Sequence, residues 1–180
     1  MFRIRYLLTM EPEIASMDLI ELEKEGIVSG YMELYFNEKD YGIYPDIIPP
    51  KGLQGLYLLS TWFEQLTEAV YLLSQSGIVY INDTESHNSW IELKRINWNE
   101  LEASHVIVEE KHGGLLETKP LQDFEYGDWQ KVIISYTEFK VEIVKKTMEF
   151  LQEIHSLNSN YSKISWVKRI VTTLEKITEL

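Results

Sequence analysis

Residues 77–97 read GIVYINDTESHNSWIELKRIN, and the class of fold turns on how this stretch is read. Ile78, Val79, Tyr80 and Ile81 give way to a polar run, after which Trp90, Ile91 and Leu93 resume the apolar pattern. Asn82, Asp83, Ser86, Asn88 and Ser89 are turn formers, so the stretch predicts two consecutive strands joined by a loop. Downstream, LEASHVIVEEK continues the sheet. HGG at 112–114 predicts a tight hairpin into LLETK, because paired glycines accept the positive φ such turns require. Strands that succeed one another without helices between them favour an antiparallel sheet over an alternating strand and helix array.

Working outward, Phe2, Ile4, Tyr6 and Leu8 recur with a period of two and predict a half-buried first strand. IASMDLIELEKEG at 14–26 reads as a short helix or an irregular connection. IVSGYMELYFNEKDYGIYPD reads as a hairpin that turns at NEKD, with Met32, Leu34 and Phe36 on one face and Tyr31, Glu33 and Tyr35 on the other. Pro45, Pro49 and Pro50 remove backbone donors and end that run. A helix is expected from about 53 to 76, striped by Leu59, Trp62, Phe63, Leu66, Ala69, Val70 and Leu73, with Gly77 placed for a left-handed cap.

SYTE at 135–138 is a capping-box pattern with Ile134 and Phe139 placed as a hydrophobic staple. It predicts a helix from Tyr136 to about Leu157. A final helix follows the polar NSNYS break, striped by Ile164, Val167, Ile170, Val171, Leu174 and Ile177. The expectation is one α+β domain over residues 1–180: an antiparallel sheet of about six or seven strands, one central packed helix (about 53–76) and two C-terminal helices.

The chain has no cysteine, which excludes disulfides and thiolate chemistry and points to a reducing, cytoplasmic setting. The N-terminal apolar run is too short for a signal peptide, and no stretch has the uninterrupted apolar length of a membrane span. The formal net charge is −12, unevenly spread: residues 1–130 carry 23 acidic and 9 basic side chains, residues 131–180 carry 6 and 8. Such a field repels nucleic acid and anionic lipid, steers basic proteins inward, and also serves solubility. KRINW at 94–98 is too isolated in its acidic surround for a nucleic-acid surface.

Asp83, Glu85 and His87 raise a hydrolase or metal-dependent reading, set against that of a solvated hairpin loop. The four histidines, His87, His105, His112 and His155, offer no local metal spacing, so no cofactor is expected. His105 sits beside Val106 and Ile107 as a satisfied strand imidazole would, and His155 falls near a helix C-terminus. No phosphate loop or nucleophile elbow occurs.

Acids and aromatics mix in two further stretches. EKDYGIYPD holds Glu38, Asp40, Tyr41, Tyr44 and Asp46. DFEYGDW holds Asp123, Glu125, Tyr126, Asp128 and Trp129. Aromatic rings in loops supply contact area and carboxylates supply complementary charge, the makings of a surface for a basic protein. The plain alternative is that the rings tack the loops to the core while the acids face water. A homodimer through surplus aromatic surface is a further possibility.

GYMELYFNEKDYGIYPD leading into LSTWFEQLTEAVYLL resembles the immunity proteins of bacterial polymorphic toxin systems, and Gram-positive families of similar style. The resemblance implies a non-catalytic protein that binds and blocks a cognate toxin. It carries no individual residue across.

Overall fold

The computed structural model describes residues 1–9, 12–47, 57–86, 88–109 and 114–179, with the side chains of Pro12 and Glu13 left aside. Ten strands and four α-helices occur among them, in two antiparallel sheets. The expected α+β architecture is present, with its strands divided between a four-stranded and a six-stranded sheet.

The first sheet begins with β1 (Phe2–Leu8), which pairs with β2 (Ser29–Phe36). Between them a short 3-10 helix (Pro12–Ser16) leads into α1 (Leu19–Glu25), so the helical reading of this stretch holds. Asp18 caps α1: its side chain accepts from the Ile20 and Glu21 amides, and Glu21 reaches back to the Asp18 amide, which satisfies the orphan donors of the first turn. A two-residue turn joins β2 to β3 (Lys39–Ile43), with Asn37 at φ 57°, a conformation asparagine tolerates better than most side chains. Gly30, Met32, Leu34 and Phe36 are buried in strict alternation, as the sequence pattern requires.

β4 (Tyr57–Leu58) pairs with the start of β2 and runs directly into α2 (Leu59–Ser76). The helix was expected from about residue 53. The chain is still extended at Tyr57 and Leu58, where it joins the sheet, and residues 53–56 lie outside the described residues. Gly77 ends the helix at φ 74° with its amide on the Leu73 carbonyl, the expected left-handed cap.

The second sheet contains β5 (Ile78–Asn82), β6 (Ser89–Arg95) and β7 (Glu100–Val108), paired in sequence. The hairpin expected from β7 into LLETK is not formed. β8 (Leu116–Glu117) pairs with β5 on the opposite edge, Tyr80 facing Glu117, while residues 110–113 lie outside the described residues. A turn motif reports local bending, whereas this pairing is a choice between distant edges.

The free side of β7 is shared by two short strands, β9 (Phe124–Tyr126) against Val106–Val108 and β10 (Val132–Ser135) against Glu100–Ala103. The chain arches away between them, over His105.

α3 (Tyr136–Leu157) starts where expected, with the Ser135 hydroxyl accepting from the Glu138 amide at 3.3 Å and the staple pair Ile134 and Phe139 buried. α4 (Ser165–Thr178) buries Val167, Ile170 and Ile177, while Val171 is left exposed. α2 lies at the centre, against β2, β5, α3 and α4, and the main core runs from Phe2 to Ile177. Phe63 of α2 stacks on Phe150 of α3 at 4.4 Å, with Tyr6 edge-on at 5.1 Å. A smaller cluster of Tyr80, Trp90, Val106, Val108 and Leu121 fills the other face of the second sheet. Among the described residues no helix is long and apolar enough to cross a membrane.

Candidate functional site

His105 lies midway along β7, at the gap between β9 and β10. Its backbone amide donates to the Trp129 carbonyl at 3.0 Å, and its carbonyl accepts from Gly127 at 2.9 Å. Residues 127–131 thereby arch over the imidazole. A Cβ built on Gly127 would stand 2.2 Å from Nδ1, so glycine is needed there for space.

Both ring nitrogens are engaged. The Asp128 amide donates to Nδ1 at 3.3 Å, and Nε2 meets the Ser89 hydroxyl of β6 at 2.7 Å. Ser89 Oγ lies 2.8 Å from the Tyr41 hydroxyl, which donates to Asp83 Oδ2 at 2.7 Å. One proton order satisfies every member. Nδ1 accepts, so in the neutral ring Nε2 carries the hydrogen and donates to Ser89; Ser89 then donates to Tyr41, and Tyr41 to the carboxylate, which can only accept. A nucleophilic serine requires the reverse, an imidazole nitrogen free to take the hydroxyl proton. The recess beside Tyr41, lined by Met32, Leu34, Gly42, Tyr57 and Trp62, is too narrow to admit a water molecule.

The electrostatics agree with this order. Burial lowers the His105 pKa, opposed by the Asp128 charge, so the neutral ring is favoured. Burial, and then the neighbouring Asp83 charge, push the Tyr41 phenol far up and hold it as a donor. Asp83 is itself raised by burial, partly offset by the Tyr41 hydrogen bond. Tyr57 is pushed up to about 12 by burial and by the charges of Asp83 and Glu85.

No family model, curated protein or solved structure matches the chain.

Of the loop cluster that suggested a hydrolase or metal site, Asp83 is tied into the network and accepts the Glu85 and Ser86 amides of its own turn at 3.1 and 3.3 Å. Glu85 lies beside it, and its hydrogen bonding and charge help to raise the Asp83 pKa. Its two oxygens accept from the Leu58 amide at 2.8 Å, just before α2, and the Trp62 indole at 3.0 Å. His87 lies outside the described residues. Among the described residues, no three His, Asp or Glu side chains converge as a metal would require.

The ten residues of the two acid and aromatic stretches divide by chemistry. Glu38, Asp40, Asp46, Asp123, Glu125 and Asp128 are all exposed, and Tyr126 is 39% exposed. The other rings turn inward. Trp129 is 6% exposed and packs 5.1 Å from Phe36, Tyr41 belongs to the network, and Tyr44 lies under the Arg5 guanidinium at 3.9 Å. Tyr41 and Trp129 meet on the imidazole, at 5.4 and 6.2 Å from its centroid, so the two segments converge on His105.

The reading of His105 as a satisfied strand imidazole holds, whereas Ser89, read as a turn former, and its bond to that ring were missed. A pair sixteen positions apart on antiparallel neighbours becomes visible only once the register of β6 and β7 is fixed. Trp98, the ring of the KRINW stretch, is 80% exposed in a turn that Asn97 holds by accepting the Asn99 and Glu100 amides.

Proposed function

We propose that the chain is a non-catalytic protein-binding module that takes a basic protein partner on the acidic surface of residues 38–46 and 123–128. The observation that carries this reading is the convergence of the two segments on His105. Two stretches some eighty positions apart are fastened to one hub by Tyr41 and Trp129, and each leaves its carboxylates in water. Fixed loops lose little entropy on binding, and clustered like charge raises the encounter rate with an opposite partner. An open groove of about 560 Å³, lined by Met1, Asn37, Glu38, Lys39 and Val132, adjoins the first segment.

A toxin-neutralising immunity protein is the instance the sequence resemblance suggests, with a basic toxin as partner. The alternative, a hydrolase or metal-dependent enzyme at Asp83, Glu85 and His87, is less well supported, because both carboxylates are already engaged within the fold. In the network, Ser89 accepts a hydrogen bond from His105 rather than donating one to it.

Affinity capture from the native host at physiological salt tests the proposal. Wild type is compared with Asp40→Lys/Glu125→Lys and with Glu175→Lys/Glu179→Lys, which makes the same change of net charge on α4. A basic protein retained by wild type and the α4 variant, and lost with the loop variant, is the expected result. Loss from both charge variants alike would reduce the interaction to net charge and refute the assigned surface.

A further inference from the structure

Among the cavities, charge clusters and exposed rings of the fold, the site that carries an inference furthest is the arch over His105. We propose that His105 is an acid-operated latch: its neutral ring holds residues 127–131 closed over β7, and its protonation releases that arch while the Ser89, Tyr41 and Asp83 side of the ring stays bonded. The latch stands on the geometry of the ring and is independent of what the acidic loops bind.

The asymmetry follows from the two nitrogens. Nε2 donates to Ser89 in either charge state, so the added proton changes nothing on that side. Nδ1 must gain the proton, and it faces the Asp128 amide, another donor. Protonation replaces a hydrogen bond with two N–H groups set head to head. The ring cannot turn away without breaking its bond to Ser89. The arch cannot slide, because Gly127 and Trp129 are pinned to the backbone of His105 itself and Gly127 touches the ring. The mismatch therefore falls on the arch.

That segment is poised to open. Lys131, at its end, has φ 54°, and Asp123, just before β9, also has φ 54°, both in the left-handed region that non-glycine residues seldom adopt. Its remaining side-chain ties are the Lys131 amide on the Ser104 hydroxyl at 3.0 Å and the buried Trp129 ring against Phe36. The groups facing the imidazole are Tyr41 from β3, Ser89 from β6 with Asp83 behind it, and Asp128 and Trp129 from the arch. Of these Asp128 alone is an exposed carboxylate beside the ring, and its charge favours the protonated form.

The test is an NMR titration of the whole chain from pH 8 to pH 5, following the His105 ring, the amides of 127–131 and those of Asp83 and Ser89, with hydrogen exchange at both ends. The expected result is that Gly127 and Asp128, whose amides are bonded to His105, lose protection and shift with the midpoint of His105, while Asp83 and Ser89 keep theirs. Asp128→Asn, which removes a charge and keeps the amide, should lower both midpoints together, and His105→Gln should abolish the transition. An arch unchanged through the titration of His105 overturns the latch, as does an arch that opens equally in His105→Gln or whose midpoint parts from that of the ring in Asp128→Asn. A ring that stays neutral until the protein unfolds overturns it as well.

Discussion

Tyr41→Phe deletes one oxygen and leaves the ring in place between His105 and Trp62. That oxygen is the donor to Asp83 Oδ2 and the acceptor for Ser89, in a network where Asp83 is 6% exposed. A hydrogen bond to a charged group contributes about 1.5–3 kcal/mol, and a hydroxyl left without its acceptor adds to the cost, so a loss of about 2–3 kcal/mol is expected at pH 7. The loss should shrink in acid. Burial raises the folded pKa of Asp83 above its unfolded value, so between those values the folded state holds the proton more tightly. The ionised group therefore opposes folding at neutral pH, and that cost disappears as pH falls through the folded value. Removing the Tyr41 donor lifts the folded value further, widens this window, and makes the difference between variant and wild type smaller at pH 5 than at pH 7. Urea unfolding followed by circular dichroism at the two pH values measures it. A difference below about 0.5 kcal/mol at pH 7, the range of ordinary surface changes, or one independent of pH, would refute the role given to Tyr41.

Three further outcomes follow from the same contacts. Trp129→Ala should cost about 3–5 kcal/mol by chemical denaturation, whereas Trp98→Ala, at an 80% exposed turn, should stay within about 0.5 kcal/mol. Glu85→Ala, which strips the start of α2 and the Trp62 indole of their acceptors, should lower stability by about 1–2 kcal/mol and expose the amide of Leu58 to hydrogen exchange. Gly127→Ala forces a methyl into the imidazole and should cost about 1–3 kcal/mol, with the largest shifts in the spectra of His105 and Trp129.

Much of the fold was legible because its signals are local. The alternation of β2 and the glycine cap of α2 specify backbone geometry within a few residues and form as read, while of the SYTE box only the Ser135 half forms, Glu138 facing the Met1 amine instead. What was not legible depends on distant partners. HGG announces a turn but not that Leu116 will choose β5 over β7, and no periodicity tells that the strands divide into two sheets. The site shows the same division. That DFEYGDW and EKDYGIYPD mix rings with acids is visible in the sequence, and so is the likelihood ordinary chemistry assigns to acids facing water. That Tyr41 and Trp129 turn inward onto one histidine depends on contacts between segments brought together only by the fold.

The central claim, that the acidic segments gathered at His105 form a surface for a basic protein, is tested most directly by association kinetics with the captured partner across a range of ionic strength. Asp40→Lys/Glu125→Lys should slow association about tenfold or more at low salt and flatten its salt dependence, while Glu175→Lys/Glu179→Lys stays close to wild type. Equal rates and equal salt dependence for the two variants would contradict it.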